Sequence, residues 1–321
     1  MRLCMFEINA TRRLGVVVDE TVIDLVATGG ETGIFTDVTT LILGGTAAMD
    51  TACQLVREAP ASAHHRIDAV RLLPPIMPST VLCAGSNYHA HNAEKLNTPL
   101  SGKEPEFFLK TADCVIGPND GIVCDPKLTR KLDAETELAI VIGKPGRHIA
   151  VEDALDHVFG YTVANDVTAR DRQVRQSPDG FTWYELGRGK AFDSSLPLGP
   201  VIVTADALPD PQALTLRTRI NGELRQQANT SGMIWTCAEL VHFFSISFTL
   251  KPGMVILTGT PAGTAWSSDK DLGGNWTPAP GLIPATRYCL AGDHVESEIA
   301  EIGILHNTVV SPADGAAKRR H

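Results

Sequence analysis

The segment Asp133-Ala134-Glu135-Thr136-Glu137-Leu138-Ala139-Ile140-Val141-Ile142-Gly143 constrains this chain more than any other. Successive side chains of a strand point to opposite faces, so Glu135 and Glu137 project from the same side. Leu138 to Ile142 are wholly apolar, which is the signature of a strand entering a core. Two carboxylates held side by side at the edge of such a core repel each other and lose hydration. A hard divalent cation between them resolves that conflict. The same pattern also suits a solvated or salt-bridged strand edge, and locally both readings stand.

Asp166 supplies a third carboxylate. It follows the semi-apolar run Phe159 to Asn165 and opens the polar stretch Asp166-Val167-Thr168-Ala169-Arg170-Asp171. Three carboxylates with water suit Mg²⁺, or Mn²⁺, better than zinc, which prefers His and Cys.

Around this segment the chain reads as strand-rich. Strands are expected near 3–8, 14–18, 21–24, 106–109, 121–124, 137–142, 159–165, 198–204, 214–221, 254–258, 285–289 and 294–299. Asn221-Gly222 marks a hairpin with a type I′ turn. Helices are expected at 46–58, 87–96, 151–157 and 232–247, the last starting after Thr230-Ser231. They do not alternate regularly with strands, which argues against a TIM barrel or a doubly wound sheet. Pro74-Pro75 and Pro78 suggest a boundary, giving a small α+β domain over 1–74 and a larger domain over 75–321. The fold class read from the sequence is α+β, predominantly β. Residues 265–284, with two Trp and several Pro and Gly, read as an irregular segment that could cover a site.

The 321 residues carry 37 acidic and 28 basic side chains, a formal charge of −9. Such a surface gives no attraction to nucleic acid, and the basic tail Lys318-Arg319-Arg320-His321 is too short to change that. The seven cysteines include no CxxC pair, so free thiols in a reducing compartment are expected. No signal peptide or transmembrane run is evident, so a cytoplasmic protein with no membrane partner is the expectation.

Six segments, in order, carry a family resemblance: Gly85 to Glu94, Phe107-Phe108-Leu109-Lys110, Asp133 to Lys144, Gly160 to Gln173, Gly189 to Asp193, and Leu257-Thr258-Gly259-Thr260-Pro261-Ala262-Gly263. Over roughly 80 to 310 the chain resembles the fumarylacetoacetate hydrolase family. The resemblance implies a C-terminal mixed β-sandwich roll preceded by a small α+β domain, and a homodimer. It implies Mg²⁺, with Mn²⁺ as the alternative, on Glu135, Glu137 and Asp166. It makes His91 the catalytic base, with Glu94 orienting it, and Lys190 a stabiliser of oxygen charge. Lys110, Gln173 and Thr260 match positions at the substrate pocket. His91 and Glu94, three apart, would share a helix face. Ser86, Ala191 and the length of 265–284 depart from the family pattern, and they bear on substrate choice rather than on the metal.

The resemblance makes the substrate a small oxo-acid. Metal-dependent hydrolysis of a carbon–carbon bond in an acylpyruvate or related β-diketo acid is the leading expectation. Decarboxylation of oxaloacetate or another oxo-diacid is the rival, with tautomerisation or isomerisation of a hydroxydienoate as a close variant. A non-catalytic metabolite-binding protein with a retained fold is the alternative outside enzymology.

Overall fold

The structure is a computed structural model that describes residues 1–30, 33–94 and 104–318. Its centre is a mixed twelve-stranded sheet. The strand Thr136–Ile142 lies in its interior, antiparallel to Val158–Asn165 on one side and to Val255–Leu257 on the other. Val255–Leu257 runs parallel to Val81–Gly85, which pairs in turn with Glu106–Lys110 at the sheet's end. On the far side, Val158–Asn165 pairs with Leu196–Thr204, and Leu196–Thr204 with Arg2–Ile8. The sheet therefore runs without interruption from the residues before Pro74 to those after it.

The apolar run after Glu137 is explained by burial on both faces. Leu138, Ile140 and Ile142 enter one core with Leu240, Val241 and Phe244 of the helix Cys237–Ser247. Ala139 and Val141 enter a second core, covered by Phe35, Val38 and Leu41 near the N-terminal helices Val38–Leu43 and Gly45–Glu58. A five-stranded sheet, in the order Glu223–Asn229, Thr215–Ile220, His294–Ile299, Gly303–Val310 and Gly121–Val123, packs Leu216, Ile299 and Leu305 into the first core. This is an α+β architecture dominated by sheet.

The expected hairpin forms, with Asn221 and Gly222 both at positive φ as a type I′ turn requires. Local expectations are corrected at several places. The helix expected from 232 starts at Cys237, because Thr236 and Glu239 form a capping box. No strand forms at 285–289; Cys289 makes only an isolated bridge to Leu132. Gly303–Val310 is a strand that the sequence reading passed over, although Leu305, Asn307 and Val309 alternate inward. The helix expected at 87–96 covers His89–Ala93. Its end beyond Glu94 and the tail beyond Lys318 lie outside the described residues. All seven cysteines are free thiols. Among the described residues no helix is long and apolar enough to cross a membrane.

Candidate metal centre and active site

Strand register builds the site at one end of the large sheet. Thr136 pairs with Asn165, which sets Glu135 opposite Asp166, and Asp166 N–H donates to the Glu135 carbonyl at 2.8 Å. On the other side Ala139 pairs with Leu257, which brings Gly259 to Glu137; Gly259 N–H donates to Glu137 Oε2 at 2.7 Å. Glu135, Glu137 and Asp166 are buried, and one carboxylate oxygen of each lies within 4.8 Å of the others.

Cations surround this cluster unequally. Lys190 Nζ bridges Glu135 Oε2 at 2.5 Å and Asp166 Oδ2 at 2.6 Å. Arg170, fully buried, donates to Glu135 through one arm, to Asp133 Oδ2 at 2.8 Å and to Gln173 Oε1 at 2.9 Å. Burial alone would raise the Glu135 carboxyl, but Arg170 and Lys190 outweigh it and hold Glu135 well below the usual carboxylate range. Glu137 makes no ion pair among the described residues. Burial, then Asp166 and Glu135, pushes its carboxyl well above the ordinary value. Burial works against the Lys190 charge, yet Asp166 and Glu135 raise its pKa.

These residues fit a hard divalent cation. The donors are all oxygens, which suits Mg²⁺ or Mn²⁺ geometry and not the nitrogen and sulfur preference of zinc. Asp166 Oδ1 is buried and accepts no hydrogen bond, although Lys110 Nζ lies 2.7 Å away as an ion pair. Glu137, with two like charges beside it and no cation of its own, is the carboxylate that such an ion would relieve.

His91 reaches the same cavity, with Glu94 buried beside it, from the segment that follows Val81–Gly85. Asn87 anchors that segment: its side chain donates to the Thr258 and Trp235 carbonyls and accepts from Trp235 N–H. His91 Nδ1 lies 2.7 Å from Glu94 Oε2, and Gly263 N–H donates to Glu94 Oε1 at 2.5 Å. A carboxylate so engaged keeps the ring proton on Nδ1 and leaves Nε2 as the basic nitrogen. The Thr258 to Gly263 turn thus serves both halves of the site, through Gly259 to Glu137 and through Gly263 to Glu94.

Of the residues expected from the sequence, His91, Glu135, Glu137, Asp166, Gln173, Lys190 and Thr260 line one cavity. The Thr260 hydroxyl is already engaged, donating to the Thr136 carbonyl and accepting from Gln226. Lys110, expected at the substrate pocket, sits behind Asp166 instead. It donates to the Ser195 carbonyl at 2.6 Å and to the Val167 carbonyl at 3.3 Å, so it is fixed beside Asp166 rather than lining the cavity. Ser86 lines the cavity with a positive φ, whereas Ala191 packs against the core. From 265–284, Trp266 forms part of the cavity wall, under the Arg170 guanidinium at 5.0 Å.

Arg170 and Asp133 were missed as site residues. Asp133 accepts from Arg170 Nε and from the N–H groups of Ala265 and Trp266, which joins the cluster to the 265–284 segment. Both lie in the two segments that carry the carboxylates, but nothing in those segments marks an Arg and an Asp as each other's buried partners.

Residues 80–310 match the family model described as fumarylacetoacetate (FAA) hydrolase C-terminal. The chain belongs to the fumarylacetoacetate hydrolase family. It is 41% identical over 264 residues to a mitochondrial oxaloacetate tautomerase of Xenopus laevis, covering 81% of this chain and 76% of the relative. A solved maleylpyruvate hydrolase from Sphingobium sp. SYK-6, in complex with manganese(II) and pyruvate, shares 30% identity at a TM-score of 0.73. The match covers 97% of this chain and 99% of that one. A solved 2-hydroxyhepta-2,4-diene-1,7-dioate isomerase from Mycobacterium marinum shares 31% identity at a TM-score of 0.68, with the same coverage. The fumarylacetoacetate hydrolase family thus includes a tautomerase, a hydrolase and an isomerase among these relatives, all of them enzymes. The mitochondrial relative does not support the cytoplasmic expectation.

Proposed function

We propose that this chain is a divalent-metal-dependent enzyme that interconverts the keto and enol forms of a small 2-oxo acid. The observation that carries the reading is the His91–Glu94 pair beside the buried carboxylate cluster, a fixed base next to a cation site. The 41% identity to an oxaloacetate tautomerase across most of the chain supports it.

A cation held by Glu135, Glu137 and Asp166, Mg²⁺ with Mn²⁺ as the alternative, would supply positive charge that polarises the 2-oxo group. His91 Nε2 takes the proton from the carbon beside that group, and Glu94 balances the imidazolium charge. The Lys190 ammonium and the Gln173 amide lie on the same wall and stabilise negative charge developing on substrate oxygen. Returning the proton from His91 to that oxygen completes the interconversion. Lys110, through Asp166, and Arg170, through Glu135, hold the carboxylates in place.

Hydrolysis of an acylpyruvate or related β-diketo acid is the second reading, favoured by the likeness to maleylpyruvate hydrolase. There His91 would take its proton from water, and Lys190 and Gln173 would serve the oxyanion. Decarboxylation stands lower, because it gives the His91–Glu94 base no proton to remove.

The test is to incubate purified protein and Mg²⁺ with oxaloacetate and with acetylpyruvate, following enol absorbance and product mass together. Faster loss of enol at unchanged mass supports tautomerisation. Pyruvate plus acetate from acetylpyruvate replaces it with hydrolysis, CO₂ from oxaloacetate replaces it with decarboxylation, and no acceleration of any kind overturns the enzyme reading.

A further inference from the structure

Strand alternation turns Glu106 toward the site. In Glu106–Lys110, Phe107 and Leu109 are exposed while Phe108 and Lys110 are buried, so Glu106 shares the inward face. Its cross-strand partner is Gly85, which has no side chain to shield it; Glu106 Oε2 lies 3.6 Å from where a Gly85 Cβ would stand. Glu106 lines the cavity that holds the carboxylate cluster. With Tyr184 and Leu186 it also lines an adjoining open depression of about 430 Å³. It therefore stands where the inner cavity opens outward.

The half-buried Glu106 carboxylate makes no hydrogen bond or ion pair among the described residues, whereas Glu94, Glu135, Glu137 and Asp166 are all held. A partly desolvated carboxylate without a partner costs stability and returns none to the fold. The cavity wall carries the carboxylates of Glu106, Glu135, Glu137 and Asp166 against the cations Arg170 and Lys190. A bound divalent ion would bring that wall to neutrality, so one substrate carboxylate is accommodated at the cation end and a second gains nothing.

We propose that Glu106 is a specificity-determining residue that reads the substrate's distal end. It disfavours a distal carboxylate and favours an end that is uncharged or donates a hydrogen bond. This inference rests on the 2-oxo acid reading above, since that places the acid head at the cation cluster and the tail at Glu106. Of the two substrates in the turnover test, acetylpyruvate is then favoured over oxaloacetate, which carries a carboxylate at both ends.

The test uses two ligands of equal chain length, 2-oxopentanoate and 2-oxoglutarate, titrated calorimetrically into Mg²⁺-saturated wild-type protein, Glu106→Gln and Glu106→Leu. Wild type is expected to favour 2-oxopentanoate. Both variants should lower that preference about tenfold or more, by relieving like-charge repulsion. The preference is read within each variant, so a fraction of unfolded protein cancels. A preference within about twofold of wild type in both variants, or no binding of either acid, overturns the inference. Binding with the expected shift but no keto–enol turnover would instead sink only the catalytic reading.

Discussion

Arg170 Nε donates to Asp133 Oδ2 at 2.8 Å with both side chains buried, and through this contact the carboxylate cluster is tied to the segment that walls the cavity. Asp133 also accepts from Ala265 and Trp266, while Arg170 reaches on to Glu135 and Gln173. The pair makes metal-site geometry and cavity wall a single unit. Its consequences are measurable.

Arg170→Met leaves Asp133 buried without its cation and Glu135 with Lys190 alone. Removing one partner of a buried pair costs about 3–5 kcal/mol. Chemical denaturation of the variant should show a loss of that order. A loss below about 1 kcal/mol would mean that the network contributes little to stability.

Glu137→Gln removes a negative charge from the carboxylate that lacks an ion pair while keeping its shape. Mg²⁺ or Mn²⁺ affinity, measured by calorimetric titration, should fall about tenfold or more. Wild-type turnover should disappear on chelation and return with added metal. Unchanged affinity in the variant would remove Glu137 from the ligand set.

His91→Ala should keep its metal affinity and lose turnover by about 10²–10⁴-fold, the usual worth of a positioned base. Glu94→Gln should lose activity in the same direction, since the amide no longer balances the imidazolium. Steady-state kinetics beside metal titration separates the two roles: a base variant that also lost the metal would contradict the assignment.

Gly263 has φ near 109°, and a Cβ there would stand 2.0 Å from the Arg225 carbonyl oxygen. Gly263→Ala should therefore destabilise by more than about 1 kcal/mol. It should also lower turnover, because Gly263 N–H holds Glu94. A variant with wild-type melting and wild-type rate would show that the turn relaxes freely.

What the chain announced by itself was local. Alternation along a strand is set by covalent geometry, so Glu135 and Glu137 could be placed on one face, and the apolar run after them marked an interior strand. The same locality exposed the Asn221-Gly222 turn and the His91, Glu94 spacing. Tertiary structure decided which distant residues meet. Pairing of Thr136 with Asn165 and of Ala139 with Leu257 brought Asp166 and Gly259 to the two glutamates. Nothing near Arg170 in sequence shows that it will be buried between Asp133 and Glu135, or that Lys110 will spend its charge behind Asp166. Those outcomes depend on long-range register and on desolvation. A carboxylate's partner is chosen by whichever charge the folded sheet places beside it, and that neighbour is no neighbour in the chain.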